Sequence, residues 1–414
     1  MMTAELIRVF GRIGFLSFGG PAAQIALMHK ELVEDRPWLS EDEYLKALSF
    51  CMLLPGPEAM QLATYAGWKR GGIVGGLIGG GLFVIPGALL IMLLALAYGT
   101  YGNLAVIQAL FLGVKACVVV IVVQALIKVA KRALARPMHR VIAIGAFIAL
   151  FLFSMPFPLV VLCAGFIGTI SRPKAKATAV GTLPSITRTL RTIGIGCAIW
   201  VAPLIILAAA HQQFLLEIGL FFSKLAVVTF GGAYAVLAYM TQEVVVSYQW
   251  LSTQQMMDAL GLAETTPGPL ILVTQFVGMI AGLAQGGIGL ALLAGMLTLW
   301  VTFVPCFIWI FAGAPMIDWL DSRPRLRGAL SAITAAVVGV IANLSIWFAI
   351  HVFFDRVGTV HWGAITVVSP ESSTLQPAAV LLASLAAILL LWRNWSLPLV
   401  LAITAFAGLF TLAN

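Results

Sequence analysis

The sequence predicts an all-α polytopic membrane protein. It reads as about 13 transmembrane segments, in two inverted six-segment repeats plus one linking segment. Three observations predict this. Of 414 residues, 61% are hydrophobic and only 10% charged, and the mean hydropathy is +1.04, a profile of chains that live in a bilayer. A Pro-Gly-Pro breaks an apolar run of membrane-crossing length twice, at Pro55-Gly56-Pro57 and at Pro267-Gly268-Pro269. Finally, residues 17–57 align without a gap on 229–269 with 16 identities in 41 positions.

The repeat reaches beyond the breaks. At an offset of 212, Phe18-Gly19-Gly20 falls on Phe230-Gly231-Gly232, Glu31 on Glu243 and Trp38-Leu39-Ser40 on Trp250-Leu251-Ser252. Further on the offset grows to 219, which pairs Pro86 with Pro305 and Gln124 with Asn343. At 240 it pairs Pro158-Leu159-Val160 with Pro398-Leu399-Val400. Duplication on this scale sets the domain reading. Residues 1–171 form a first transporter repeat, 172–212 a basic linker with the unpaired segment, and 213–414 a second, inverted repeat.

Apolar segments fall at 6–28, 47–67, 72–99, 103–128, 141–154, 156–170, 192–210, 213–241, 259–284, 287–314, 329–352, 377–392 and 394–412. Six crossings return the chain to its starting side, and segment 192–210 then turns the second repeat over. With the N-terminus cytoplasmic and the C-terminus outside, 18 of the 24 basic residues lie in or beside cytoplasmic loops. Lys30, Arg36, Lys46 and Arg356 fall outside. This split follows the positive-inside rule, with two poor fits: the basic 30–46 loop outside and the uncharged-by-Lys/Arg 242–254 loop inside. Full crossings at the breaks are preferred over re-entrant hairpins. The net charge of +8 reflects these loops and does not point to nucleic acid. The five cysteines stand singly in apolar segments and read as packing residues.

Pro removes an N–H and clashes with the preceding turn, so each Pro-Gly-Pro must interrupt its helix. Past Pro57 and Pro269 a half-helix begins, whose first N–H groups lack helical partners and carry the positive dipole end. Irregular backbone at membrane depth is tolerated only beside protein or a cavity. Matched breaks in inverted halves therefore point to a midplane site, here an anion cradle. Glu58 and Gln61 follow the first break; Thr265 and Thr266 precede the second, and Gln275 follows it. Ser17 and Thr229 are equivalent residues beside Phe-Gly-Gly. Each hydroxyl alone is as readily explained by a bond to its own helix.

Charge inside a segment is costly and each instance is a functional hypothesis. Arg12 and Lys224 are repeat-equivalent, and Lys115 lies near the middle of 103–128. The competing explanation for Arg12 and Lys224 is snorkelling to the near surface. Glu58 is the candidate carrier of a coupling proton. His29, His139, His211, His351 and His361 are scattered, so neither a metal centre nor a cofactor is implied.

The Phe-Gly-Gly at 18–20, Trp38-Leu39, the run from Leu54 to Leu62, and Thr265-Thr266-Pro267-Gly268-Pro269-Leu270 resemble the chromate ion transporter family. The resemblance covers essentially the whole chain, and long-chain members of that family have two homologous halves, as here. It implies efflux of chromate from the cytoplasm, with sulfate as structural relative and competitor. It carries over to both Pro-Gly-Pro motifs, both Phe-Gly-Gly motifs and Arg12. Lys115 and Lys224 rest on the residue reading alone.

The expectation is a secondary transporter in a prokaryotic-type inner (plasma) membrane, exporting a tetrahedral dianion by alternating access. An inside-negative membrane favours the export by about 2.3 kcal/mol per charge per 100 mV. Its partners are the chromate or sulfate-like dianion, the lipid bilayer and protons as a candidate coupling ion; no nucleic acid is expected, and a homodimer stays open. An importer of sulfate or another oxyanion on the same scaffold remains the alternative. An intramembrane enzyme is a distant one, because no Ser/His pair shares a midplane position.

Overall fold

A computed structural model describes residues 2–18, 20–170, 186–228, 230, 233–317, 324–363 and 365–412. The chain forms two compact units: Met1–Leu96 with Lys174–Ala233 and Thr266–Leu326, and Ala97–Pro173 with Tyr234–Thr265 and Arg327–Asn414.

In the first unit α1 (Met2–Leu16) buries Leu6, Val9, Phe10 and Ile13, the spacing of one helix face. It ends where Ser17 Oγ bonds back to Ile13 O at 2.6 Å. The chain resumes as α2 (Gly20–His29), extended by one π-helical turn, Lys30–Glu34. Laid end to end, residues 12 and 31 would be about 28 Å apart at 1.5 Å per residue. Instead Arg12 Nε lies 3.4 Å from Glu31 Oε1. The two helices fold back on each other.

A second hairpin follows. Ser40 opens α3 (Glu41–Cys51) with a capping box to Glu43. The helix stops before Pro55 and restarts at Glu58 as α4 (Glu58–Tyr101). Gly71 and Gly72 divide α4 into a short arm, 58–70, and a long arm, 73–101. Lys69 Nζ lies 3.0 Å from Glu43 Oε1. A straight path between them would span about 39 Å, so α3 and the short arm also run antiparallel, with the Pro-Gly-Pro at the tip. Tyr44 Oη ties this hairpin to α2 through Ile25 O at 2.6 Å. The stretches 6–28 and 47–67, each expected to cross once, therefore double back. Hydropathy records the length of an apolar run; a two- or three-residue break can continue its direction or reverse it.

Glycines set the packing between the two arms of α4. A Cβ on Gly67 or Gly75 would meet the other's carbonyl, so the backbones touch. The second repeat shows the same device in α12 (Val273–Gly313), broken at Gly286 and Gly287, with Gly282 against Ala291. A 3-10 turn, Leu270–Leu272, leads into it. α8 (Ile186–Ala209) and α9 (Gln213–Val228) pack on α12. Trp200 Nε1 donates to Val301 O at 3.0 Å and Trp300 Nε1 to Ile199 O at 3.1 Å.

The second unit centres on α5 (Ala105–Ala133). Against it lie α11 (Thr253–Thr265), α14 (Pro377–Ala387) and α15 (Leu397–Gly408). Gly113 sits on the backbone of Thr404 and Gly408 on that of Ala109. α6 (Pro137–Phe151) and α7 (Phe157–Ile170) form a short pair turned at Ser154, which has φ +48°. They pack on α13 (Pro324–Phe353), Gly339 lying on Ala143 and Gly165 on Ile333. α10 (Ala233–Gln242) completes the α-helices among the described residues. The 353–376 stretch, between the apolar segments 329–352 and 377–392, contains an antiparallel hairpin, β1 (Val357–Trp362) and β2 (Ile365–Pro370), pairing Val357 with Pro370 through Trp362 with Ile365.

Among the described residues five stretches are long and apolar enough to cross a membrane: Glu58–Tyr101, Ala105–Ala133, Ile186–Ala209, Leu270–Met316 and Gly328–Phe353. The remaining apolar helices are shorter, so the thirteen expected segments do not correspond to thirteen membrane-length helices.

Candidate functional site

The two Pro-Gly-Pro breaks lie in the same unit, and both are buried. Gly56 has φ +114° and Gly268 φ +91°, values that a side chain disfavours. Around the first break, Gln61 Nε2 donates to Pro55 O at 2.7 Å. A Cβ on Gly56 would lie 2.8 Å from Cys306 Sγ. Around the second, the Gly268 N–H donates to Ser17 O at 2.9 Å. Gln24 Nε2 reaches Gly268 O at 2.7 Å and Ser17 O at 3.2 Å. A Cβ on Gly268 would lie 3.6 Å from Gly87 Cα.

These contacts are reciprocal. Gly87 and Cys306 are equivalent at the offset of 219, each one residue past the helix proline, Pro86 or Pro305. Each break thus rests on the same turn of the other repeat's long helix. The half-helices starting at Glu58 and, after one 3-10 turn, at Val273 bring two positive dipole ends into one unit. Gln61 Oε1 and Gln275 Oε1 are buried without a hydrogen-bond partner, which leaves polar capacity beside the breaks. The hydroxyls are largely satisfied by their own helices: Thr64 on Met60 O, Thr265 on Leu262 O and Thr274 on Ile271 O. Thr266, Pro267 and Pro269 are buried, and Glu58 is partly exposed at the start of its arm. Phe18 is exposed, and Gly20 opens α2 with φ +77°. Gly19, Thr229, Gly231 and Gly232 lie outside the described residues.

The three in-segment cations are not gathered at one point. Arg12 and Arg36 both pair with the buried carboxylate of Glu31. The Arg12 side chain is 58% exposed, the Glu31 side chain 2%. Lys224 is exposed on α9. Lys115 belongs to the second unit and is buried there: its Nζ lies 3.1 Å from Asp258 Oδ1, and Tyr98 Oη donates to Asp258 Oδ2 at 2.6 Å. Lys115 forms part of the wall of a cavity of about 360 Å³, with Gln108, Gln254, Met257, His351 and Gln376.

Asp258, Tyr98 and Gln24 were not singled out from the sequence. Asp258 stands one residue before the apolar run that begins at Ala259, where a carboxylate reads as a solvated helix end. Its equivalent in the first repeat is Lys46, so the repeat gave no signal either. An acidic residue facing a buried lysine was the available clue, but the pair is 143 positions apart.

The model of the family described as Chromate transporter matches residues 4–169 and again 216–409. The chain is 28% identical to the chromate transport protein of Cupriavidus metallidurans, over 98% of this chain and 92% of that one. It is 29% identical to a probable chromate transport protein of Synechococcus elongatus, over 98% and 94%. It is also 29% identical to the chromate transport protein of Pseudomonas aeruginosa, over 84% and 81%. No solved structure matches the chain. With most of its length matched in two blocks and near-complete alignment to these relatives, the chain belongs to the chromate transporter family.

Proposed function

We propose that the chain is a secondary transporter that carries chromate, a tetrahedral dianion, out of the cytoplasm by alternating access. The observation that carries the reading is the reciprocal seating of the two Pro-Gly-Pro breaks, each on the equivalent turn of the other repeat's long helix. Two half-helix N-termini in one unit offer N–H donors to an oxyanion. Names borne by the relatives point to the same substrate. Arg12 is held by Glu31 and serves the α1–α2 hairpin.

The hairpins bear on orientation. In this reading α1–α2, α3 with the short arm of α4, and their equivalents in the second repeat return to their starting sides. The α6–α7 and α14–α15 pairs cross and return. α8 crosses once and turns the second repeat over. Lys30, Arg36 and Lys46 then join the cytoplasmic side, and Arg356 alone stays outside. The loop 242–254, which has no Lys or Arg, moves outside. Both misfits of the full-crossing arrangement disappear, which favours a cytoplasmic N-terminus and an external C-terminus.

The test is chromate uptake into inverted vesicles containing the protein, with sulfate as competitor. Time-dependent uptake above vesicles lacking the protein supports export. Inward sulfate flux in right-side-out vesicles with no chromate uptake in inverted ones would replace export by import.

A further inference from the structure

Lys115 and Asp258 are charged groups buried within the second unit, and each neutralises the other. Lys115 also forms part of the wall of the 360 Å³ cavity, which has room for roughly a dozen waters at about 30 Å³ each. The rest of that wall includes the amides of Gln108, Gln254 and Gln376, which each donate one N–H, to Gly102 O, Gln108 Oε1 and the Asp355 carboxylate, and keep a second N–H for a ligand; among the described residues no carboxylate lines the cavity itself. An anion that enters finds one full positive charge, already occupied by Asp258.

We propose that Lys115 and Asp258 form an exchange site in which a tetrahedral dianion replaces the Asp258 carboxylate on Lys115 while Asp258 takes up a proton from water. The inference rests on the oxyanion-transport reading for its ligand class. Its physical basis is the cost of a lone buried charge: once the anion holds Lys115, an ionised Asp258 is buried and unpaired. A proton removes that cost. By linkage, proton and anion then strengthen each other's binding equally. No bond other than O–H forms, and the proton returns to water when the anion leaves.

Among the described residues few charged or titratable groups face Asp258. Lys115 faces it from α5 and Tyr98 from the end of α4, the latter donating to Oδ2. On α11 itself Glu264 follows further along and has partners of its own. His351 on α13 lies in the cavity wall, with Nδ1 at 2.8 Å from Trp347 O. Tyr98 keeps one carboxylate oxygen occupied when Lys115 is withdrawn, so Asp258 stays oriented during the exchange.

The experiment is equilibrium binding of sulfate to the full-length protein in lipid nanodiscs as pH is lowered, with proton uptake read by an indicator dye in weak buffer. Sulfate stays a dianion over the range, so any pH dependence belongs to the protein. The wild type should bind more tightly as pH falls, approaching about tenfold per unit for one linked proton. It should take up close to one proton per anion. Asp258→Asn should abolish both the slope and the proton uptake while keeping affinity at or above the wild type's low-pH value. Asp258→Asn leaves the Lys115 cation, and Lys115→Met the Asp258 carboxylate, alone in a buried site, so either single variant can unfold. The double variant Lys115→Met/Asp258→Asn is neutral, and it should fold and bind at least tenfold more weakly than Asp258→Asn. A pH-independent wild type, a slope that survives Asp258→Asn, unweakened binding by the double variant, or no saturable binding at all would overturn the proposal. Chromate flux measured in parallel separates the two claims. Flux with pH-independent binding sinks the exchange alone, whereas coupled binding without flux counts against the transport reading.

Discussion

Gly56→Ala is the sharpest test of the break geometry. Two costs add at this position. A side chain at φ +114° costs at least the roughly 1–2 kcal/mol of the left-handed region. The new methyl would also sit 2.8 Å from Cys306 Sγ and 2.9 Å from Gln61 Nε2, so buried neighbours must shift, for about 1–3 kcal/mol. Together, about 2–5 kcal/mol corresponds to roughly thirtyfold to a few thousandfold in the population of the seated break. Gly72→Ala supplies the control: φ is +60°, but nothing lies within 4 Å of its Cβ, so only the backbone cost applies. Gly268→Ala falls between, since its nearest neighbour is the movable Leu272 Cδ1 at 3.0 Å. Chromate uptake per amount of protein in inverted vesicles should therefore rank Gly72→Ala above Gly268→Ala above Gly56→Ala. Replacing Cys306 by the glycine that the other repeat carries at Gly87 should return part of the Gly56→Ala loss. It restores the space but not the backbone preference. Equal activity of Gly56→Ala and Gly72→Ala, or no gain from Gly56→Ala/Cys306→Gly, would refute the seating argument.

Arg12→Ala should lower stability by less than about 1 kcal/mol, because its head is more than half exposed and Arg36 still holds Glu31. Arg12→Ala/Arg36→Ala should cost more, about 3–5 kcal/mol, by stranding a buried carboxylate; thermal melting reads both. A tenfold loss of flux in Arg12→Ala with unchanged melting would instead put that charge at the anion. At His29, hydrogen bonds to Glu41 first, then Glu34, raise the pKa above the ordinary 6.5. The raised folded value means this tie stabilises below that pH and is lost as pH climbs through the folded pKa. The melting temperature should fall over that window, and His29→Gln should flatten the fall; an unchanged profile would deny the tie. Single cysteines at Asp35 and Gly363, in a background without the five native cysteines, should label from the cytoplasmic and external sides respectively. Labelling of Asp35 from outside would restore full crossings.

The sequence carried the duplication, the helix breaks and the ends of the half-helices, because Pro and Gly act locally on the backbone. It could not show that α1–α2 and the first break reverse direction. That is settled by Arg12 meeting Glu31 and Lys69 meeting Glu43, contacts that no hydropathy window contains. At the site, Gly56 and Gly268 were legible as breaks, but the turns they rest on were not. Pro86 and Pro305 marked the right helices, and the residue after each, Gly87 or Cys306, makes the contact. Lys115 was legible as a charge out of place. Its partner was hidden, since a carboxylate at the edge of an apolar run looks solvated until tertiary packing closes over it.

The reciprocal indole bonds between α8 and α12 say what kind of joint links the halves. Only 6% of the membrane-length window of α8 is buried, and its close contacts are few: Gly196 on Ile308, Leu204 on Gly219, and the two indoles, among the described residues. Trp200 and Trp300 reach across in opposite directions to the carbonyls of Val301 and Ile199, a two-point clasp that sets both height and angle. In the proposed topology any apolar helix spliced in at 186–209 would turn the following repeat over. Without the clasp it would act as a tether where α8 acts as a splint. A working fusion of two such halves therefore needs more than an odd number of crossings: its connecting helix must grip the long helix of the second half at a defined rotation.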